Sequence, residues 1–568
     1  MTLLVFRRVR HEVKNQNRGE RVLADSFDYV IIGAGSAGCI LANRLTADGR
    51  HSVCLLEAGP PDWHPFIHIP AGFIKTLANP NLNWMYQTEP SHWTAGRAID
   101  APRGKTLGGS SSINGHIYNR GQRMDFDGWS QRGNRNWGYA DVLPYFRRCE
   151  QRIGGGDDTF RGREGNLQVT DLNYEHPFCE IFMAGAETIG IPRNADYNGA
   201  VQEGISYVQR TVHGRRRVST ARAFLNPAKS RANLTVRTNA FATEILFEGK
   251  KAIGVTYAKG GRGGQMVEVR ANREVILSGG VVNSPQLLQL SGVGPGKLLQ
   301  SLGIEVKHEL AGVGENLRDH YAPRLSARVK NVETLNERAS GLSLVGEVIK
   351  YFIGGKSIVN LSPSMVYGFW HSDEAARSND LQFIFTPASY KLGVHGLLDD
   401  VPGFTVAAWQ HRPESKGWLR ARSADPFEKP IIQPNYLDHE EDRRIVVCAM
   451  KLARRLMYTE PMMPYIESEA YPGEDVQSDE EYLEAARHWG GTTFHLMGTC
   501  RMGPETDPTS VVDDQLRVRG MESLRVIDAS VMPAMVSANL NAATMMIAEK
   551  ASDMVLGKPA MEPIIVPD

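Results

Sequence analysis

Residues 28–38 read DYVIIGAGSAG, a short apolar run that leads into a glycine-rich turn. The run predicts a buried strand, and the turn has the GxGxxG spacing that opens a helix. The first glycine permits the tight turn, the second lets a pyrophosphate approach the backbone, and the third lets the helix pack on the sheet. A helix N-terminus also offers unpaired N–H groups and a partial positive charge to an anion. The predicted cofactor contacts of this turn are Gly33, Gly35, Ser36, Ala37 and Gly38.

A second apolar run, residues 52–56, ends in the acidic residue Glu57, 24 residues after Gly33. A carboxylate at this place in a βαβ unit binds the ribose hydroxyls of a dinucleotide. A glycine turn alone would be an ordinary loop, but here strand, turn, helix, strand and acid follow in order. The sequence therefore predicts dinucleotide binding, and with it a redox enzyme.

Bulk composition limits the other classes of function. The chain has 568 residues, so two joined domains are expected. Lys+Arg and Asp+Glu each number 64, which gives no overall charge that would favour nucleic acid. No run of 18 apolar residues is present, so an integral membrane segment is not expected.

Cysteine spacing and the N-terminus bear on the compartment. The six cysteines show no CxxC pair and no HExxH motif occurs, so the sequence predicts neither disulfides nor a metal site. This usage is typical of a reduced, cytoplasmic protein. Residues 1–25 are basic and lack a periodic apolar pattern, which predicts a disordered extension; an organelle-targeting segment is the alternative.

The first strand has counterparts in the middle and at the end of the chain. Residues 273–280 and 524–529 are apolar strand-to-turn passages, and each is followed by a helical pattern. The fold class is thus α/β, α+β overall, with a Rossmann-like nucleotide domain that is discontinuous in sequence. We assign residues 26–150, 231–324 and 491–560 to that domain. Residues 151–230 and 325–490 are assigned to a substrate domain on a mixed or antiparallel sheet.

Several motifs further along the chain occur together. They are RGKTLGGSSSIN (103–114), SPQLLQLSGVGP (284–295), VGENLRDH (313–320), HLMGTCRMG (495–503) and DASVMP (528–533). In combination they resemble the glucose–methanol–choline (GMC) oxidoreductase family, whose members bind FAD, and in particular its bacterial alcohol and choline dehydrogenase-like branch. The resemblance covers about residues 26–557. It implies that FAD is the dinucleotide of the predicted site.

The resemblance also assigns cofactor contacts. The serine-rich loop brings backbone close to the ring system and phosphates, and its predicted contacts are Arg103, Leu107, Gly108, Gly109, Ser110, Asn114, Gly115 and Ile117. Asp528 and Ala529 are expected at the ribityl–pyrophosphate stretch, Asn541 near the flavin pyrimidine, and Ala242 at the adenine. Some relatives attach FAD covalently to a histidine in this loop. Ile113 stands at that position here, so dissociable FAD is expected.

Oxidation of an alcohol removes a hydroxyl proton and a hydride, and flavin N5 accepts the hydride. Histidine is a natural base for the proton, because its pKa lies near neutrality. By the resemblance, His495 is this general base, and Asn539, 44 residues later, orients the substrate oxygen. The other histidines considered, His116, His320 and His488, have no such motif support.

The resemblance implies FAD-dependent oxidation of a primary alcohol to an aldehyde. Trp84, Phe369, Trp370 and Trp409 are expected to wall an apolar pocket, which favours an alcohol with a hydrophobic or aryl group. No second GxGxxG follows a strand, so electrons are expected to pass to oxygen, a quinone of the inner membrane or another acceptor rather than to NAD(P). Two rival activities on the same scaffold are a cyanohydrin lyase and a light-driven fatty acid decarboxylase. Oligomeric state is left open.

Overall fold

The computed structural model describes residues 22–373, 378–391 and 397–566. The strands that shape the site are, in chain order, β1 (Val22–Ile32), β2 (Val53–Leu56), β3 (Gly204–Tyr207), β4 (Leu234–Arg237), β5 (Ala240–Glu248), β6 (Lys251–Lys259), β7 (Gln265–Leu277), β8 (Arg324–Val329), β9 (Val366–Trp370), β10 (Leu381–Thr386), β11 (Gly403–Gln410), β12 (Ile466–Tyr471) and β13 (Leu524–Val526). The principal helices are α1 (Ser36–Leu45), α2 (Pro177–Thr188), α3 (Gly280–Leu290), α4 (Gly341–Ile353), α5 (Glu440–Met457) and α6 (Leu540–Val555).

The first sheet joins strands from the start, middle and end of the chain. Its order is β4-β2-β1-β7-β6-β5, and β13 pairs with β7. The β4, β2, β1, β7 and β13 pairings are parallel, whereas β6 runs antiparallel to both neighbours. Helices α1 and α6 pack on each other beside this sheet. The predicted discontinuous α/β unit is confirmed.

The first strand is longer than its apolar run. It starts at Val22, which pairs with Val267, so the last residues of the predicted extension belong to the sheet. The rest of that extension, residues 1–21, lies outside the described residues.

The second sheet has six strands in the order β12-β8-β11-β10-β9-β3, and every pair is antiparallel. Residues on one face, among them Leu325, Val406 and Phe385, join α2 and α5 in a second hydrophobic core. Residues of the opposite face, such as Ala407 and Tyr367, line a cleft that residues of the first sheet also line. Strand β8 of this sheet begins at Arg324, the last residue assigned to the nucleotide domain.

The structure also bears on the thiols, on membrane spans and on metal-binding clusters. All six cysteines are free thiols and five of them are buried. Within the described ranges, no helix has the length and apolar character needed to cross a bilayer, and no cluster of His, Cys, Asp or Glu could hold a metal ion.

Candidate active site

A long cleft is lined by residues of both sheets and holds about 2320 Å³ of empty space, its open mouth included. The predicted site residues that line it are Gly33, Gly35, Ser36, Ala37, Glu57, Arg103, Gly109, Ser110, Asn114, Gly115, Ile117, Ala242, His495, Asp528, Ala529, Asn539 and Asn541. Three others, Gly38, Leu107 and Gly108, lie behind its wall and shape it from there.

The turn after β1 has glycine where a side chain would collide. Gly33 has φ +98°, and a Cβ there would lie 2.5 Å from the Ser278 carbonyl oxygen. A Cβ on Gly38 would lie 1.9 Å from the Gly33 oxygen, so this glycine lets α1 pack on the turn. Gly35 caps α1 without a side-chain hydrogen bond, which leaves the first N–H groups of the helix free for an anion.

The serine-rich loop closes on the same turn. The Gly108 N–H donates to the Ala34 carbonyl at 2.7 Å. Gly109 has φ +52°, and a Cβ there would lie 2.7 Å from the Gly35 Cα. Backbone therefore meets backbone at this point, with no side chain between the two glycines.

A second helix begins at the same end of the cleft. Helix α6 starts after Asn539, and Asn539 gives it no side-chain cap, so its first N–H groups also lack a capping partner. Asn541 Oδ1 accepts a 2.6 Å hydrogen bond from Ser36 Oγ, which ties the starts of α6 and α1 together. Two helix N-termini make this end of the cleft a strong anion site.

Buried carboxylates hold the turns around that anion site. Glu57 accepts from the N–H groups of Ala34 (3.0 Å) and Gly59 (2.8 Å), and its burial raises the pKa of the carboxyl to about 7. Asp528 accepts from the N–H groups of Gly280 and Ser530 and from Ser284 Oγ, at 2.6–2.9 Å. Its burial raises the pKa of that carboxyl as well.

These features fit FAD. The paired helix N-termini and the close glycine contact suit a pyrophosphate, and the Glu57 carboxylate at the end of β2 suits a ribose. Ala242 lines the cleft beside a β-bulge between Ala242 and Glu244, where the backbone is less constrained by pairing.

His495 and Asn539 come together beside the start of α6. His495 Nε2 lies 3.0 Å from Asn539 Nδ2, and Asn539 Nδ2 lies 3.4 Å from the Tyr367 hydroxyl. Asn539 Oδ1 is buried and has no partner among the described residues, so it can accept a hydrogen bond from a ligand. The pair predicted from the motif therefore forms one polar cluster.

A neighbouring histidine sets the tautomer of His495. His320 Nε2 lies 2.6 Å from the His411 carbonyl oxygen, which can only accept, so Nε2 carries the proton. Burial lowers the pKa of His320 to about 4, so the ring is neutral and its Nδ1 is an acceptor. His495 Nδ1, 2.9 Å from it, must therefore donate, and Thr493 Oγ1 lies 2.7 Å from the same nitrogen. The Nε2 of His495 is left with a lone pair that faces Asn539 and the cleft.

The backbone of His495 is held as firmly as its ring. Its N–H donates to Asp319 Oδ1 at 2.8 Å, and the preceding residue, Phe494, has φ +70°. The Arg103 guanidinium donates to the Phe494 carbonyl. Burial, with a smaller contribution from Arg103, lowers the pKa of His495 well below its usual value, so the ring is neutral and ready to accept a proton.

The structure adds site residues whose roles were not predicted. Tyr367 and Thr493 line the cleft, and His320 lies directly behind His495 although its role was not predicted. Its place at the end of VGENLRDH, next to Asp319, was the available signal. His116 also lines the cleft, with Nδ1 3.0 Å from Ser362 Oγ. His488 is exposed and pairs with Glu484.

The aromatic wall is only partly as expected. Trp84 and Trp409 line the cleft, whereas Phe369 and Trp370 do not. Phe369 lies on the same strand face as Tyr367, but Tyr197 packs against its ring and buries it in the second core. Trp370 points to the opposite face of the strand. The prediction for these two residues was wrong.

Comparison with known proteins agrees with this architecture. Family models described as GMC oxidoreductase match residues 27–322 and 413–548. Human mitochondrial choline dehydrogenase is 40% identical, over 96% of this chain and 94% of that protein. The alcohol dehydrogenase [acceptor] of Pseudomonas putida is also 40% identical, over 94% of this chain and 96% of that protein. The solved structure of pyridoxine 4-oxidase from Mesorbium loti has a TM-score of 0.82 at 28% identity and covers 92% of this chain and 98% of its own. With both family models and relatives matched over nearly its whole length, this chain belongs to the GMC oxidoreductase family.

Proposed function

We propose that this protein oxidises a primary alcohol to an aldehyde with FAD as its cofactor. The observation that carries the proposal is the Nε2 lone pair of a neutral, buried His495, 3.0 Å from Asn539 in a cleft that fits FAD. The two relatives at 40% identity are named for choline and alcohol dehydrogenation.

His495 accepts the hydroxyl proton of the alcohol at Nε2, since its Nδ1 already carries a proton. Asn539 holds the substrate oxygen through its amide without competing for that proton. His320 and Thr493 keep the His495 ring in the orientation and tautomer that the step needs. FAD, when bound, supplies the acceptor for the hydride that leaves the same carbon.

FAD is held without a covalent bond in this proposal. Ile113 is buried, lines the cleft and offers no nucleophilic atom. Acid precipitation should therefore release the flavin into the supernatant; flavin that remains in the pellet would contradict this part of the proposal. The electron acceptor is oxygen or a quinone, and the buried free thiols favour a reducing compartment such as the cytoplasm.

An anaerobic titration with primary alcohols tests the function. Aliphatic, benzylic, furanic and choline-type alcohols are added to the holoprotein while the visible flavin band is followed. Bleaching by one class supports alcohol oxidation and identifies the substrate type. Air is then readmitted. Rapid return of the flavin band identifies oxygen as the electron acceptor, whereas slow return indicates another acceptor. A band that survives every alcohol contradicts the proposal and favours a reaction without net redox, such as cyanohydrin cleavage.

A further inference from the structure

The second sheet turns one row of residues toward the cleft. Arg324 stands opposite Ala407, Ala407 opposite Ile384, and Ile384 opposite Tyr367. All four line the cleft, whereas the next row, which begins with Leu325, belongs to the core behind the sheet. Neighbouring strands lie about 4.8 Å apart, so the Cα atoms of Arg324 and Tyr367 are about 14 Å apart.

Tyr367 marks the reacting end of this row, because its hydroxyl lies 3.4 Å from Asn539. Arg324 marks the remote end. Between them the wall is apolar: Ala322, Ala407 and Trp409 form one cluster, with Ile384 packed against it. A molecule with its hydroxyl at His495 would lie along this wall with its other end toward Arg324.

Arg324 has no anionic partner among the residues that the structure describes. The polar side chain that it interacts with is Tyr390, whose pKa is raised by burial, so that its hydroxyl is neutral. Its side chain is exposed although it lines the cleft, and it makes no hydrogen bond or ion pair with any residue that the structure describes. The carboxylates among the described lining residues are Glu57 and Asp528, and both are engaged at the nucleotide end. A guanidinium in this setting lacks the anion that usually accompanies a cation within a protein.

We propose that Arg324 binds an anionic group, a carboxylate above all, at the end of the alcohol substrate remote from its hydroxyl. The inference rests on the proposed alcohol oxidation and names its substrate class. The planar guanidinium can donate two parallel hydrogen bonds to a carboxylate. A quaternary ammonium group in the same place would meet a like charge, so the pocket disfavours choline.

Three alcohols of similar shape test the inference: 4-(hydroxymethyl)benzoate, 4-methylbenzyl alcohol and 4-(trimethylammonio)benzyl alcohol. The native enzyme should show the highest kcat/KM with the carboxylate. Arg324→Gln should lower kcat/KM for the carboxylate by roughly ten- to a hundredfold, the range for a hydrogen bond to a charged group, and leave the methyl compound nearly unchanged. The matched control is Arg328→Gln, because Arg328 lies on the same strand and face, is exposed, and lines no part of the cleft.

A binding measurement keeps the inference separate from the proposed function. The dissociation constant of 4-methylbenzoate, which cannot be oxidised as an alcohol, is measured from the change it causes in the flavin spectrum. It should rise by a similar factor in Arg324→Gln and not in Arg328→Gln. If no alcohol reduces the flavin, the proposed function fails, but the dissociation constant of 4-methylbenzoate still tests the role of Arg324. The inference is overturned if Arg324→Gln still prefers the carboxylate to the methyl compound as strongly as the native enzyme does. It is also overturned if the native enzyme prefers the ammonium compound.

An independent observation concerns helix α4, which presents apolar side chains to solvent. Leu342 is 90% exposed, Phe352 67% and Ile353 78%, and Val345 and Ile349 are more than half exposed. Their spacing of three or four residues places them on one outward stripe, the reverse of an ordinary surface helix. A contiguous apolar stripe of this kind marks an interaction surface.

The exposed charged residues of α4 and of the segment that follows it are basic, whereas the exposed Glu337 lies before its N-terminus. From residue 339 to residue 372 the sole acidic residue is Glu347, which is buried and paired with Lys350 at 2.8 Å. Lys356 is exposed just beyond the helix, and Arg215 donates to the carbonyls of Tyr351 and Phe352 at its C-terminal end. At 13 residues, α4 is too short to span a bilayer.

We infer that α4 lies in the surface of an anionic lipid bilayer, with its apolar stripe among the acyl chains and its basic rim at the headgroups. Holoprotein should sediment with vesicles of phosphatidylcholine and phosphatidylglycerol, and less with phosphatidylcholine alone. The double variant Ile349→Glu, Phe352→Glu should lose this binding, whereas Val201→Glu, at another exposed apolar residue, should keep it. The inference is overturned if the holoprotein does not sediment with the anionic vesicles. It is also overturned if the double variant changes from dimer to monomer, because a second copy of the chain would then cover the stripe.

Discussion

The nucleotide half and the substrate half of the cleft are built by different means. The nucleotide half consists of backbone: the Gly33 turn, the Gly109 contact with Gly35 and the starts of α1 and α6. The substrate half consists of side chains that arrive from separate strands, such as Arg324 and Tyr367. A backbone site depends on the conformation of a few consecutive residues, whereas a side-chain site depends on the register between distant ones. We therefore expect an added side-chain atom in the nucleotide half to prevent cofactor binding. Substitutions in the substrate half should lower activity by intermediate amounts.

The largest expected effect belongs to the backbone half. Gly109→Ala places a Cβ 2.7 Å from the Gly35 Cα in a left-handed conformation, and neither backbone can move aside cheaply. We expect purified protein with little bound flavin and almost no activity, measured by flavin absorbance per chain. Gly96→Ala is the control, since Gly96 has φ +72° but open space at its Cβ, and should cost about 1–2 kcal/mol of stability while flavin is retained. Equal flavin content in the two variants would show that the backbone contact is not what the cofactor site requires.

The second-largest effect is expected at His495, the proposed general base. His495→Ala should lower kcat by roughly a hundredfold or more, following typical contributions of a general base. Flavin should remain bound, because the substitution lies in the side-chain half. His488→Ala, at an exposed histidine, should leave kcat unchanged. A loss below about tenfold with flavin bound would remove His495 from the role of base.

His320 should act as a positioning residue with a smaller effect. His320→Ala removes the acceptor for His495 Nδ1–H and should lower kcat by roughly ten- to a hundredfold, as for residues that orient a functional histidine. His320→Asn retains a side-chain oxygen acceptor near that place and should recover part of the loss. The apparent pKa of the base should also fall in His320→Ala, because the neutral His320 ring accepts from His495 Nδ1–H and this hydrogen bond favours the protonated form of His495. Equal activity of the two variants and an unmoved pH profile would reduce His320 to a packing residue.

The smallest effect is a displacement of the pH profile. His495 must be neutral to accept a proton, and its pKa in the folded protein is lowered below the usual value of about 6.5. Activity should therefore be constant at higher pH and fall only as the pH drops through a midpoint below about 6.5. The profile of kcat/KM against pH measures this midpoint. A midpoint above 6.5 would mean that a nearby anion, rather than burial, controls the base.

Much of the site was predictable because its elements are local in sequence. The glycine spacing predicted the turn, and the acidic residue that closes the second apolar run predicted that Glu57 would line the nucleotide site. The meeting of His495 and Asn539, which lie 44 residues apart, was implied by the family resemblance rather than by local spacing. His320 was missed because a histidine becomes a partner only when another chain segment is placed beside it. Phe369 was misassigned because it lies on the cleft face of its strand, beside Tyr367, but Tyr197 and His411 from other segments pack against its ring and cover it.

The sequence by itself determined the βαβ unit, its glycine turn and the family motifs, since each depends on residue types at short, set intervals. The tertiary structure alone decided which side chains face a substrate. Antiparallel pairing in the second sheet aligned positions 324, 407, 384 and 367 in one row. A shift of one residue would have turned that row into the core and left Leu325 in the cleft, because successive side chains of a strand point to opposite faces.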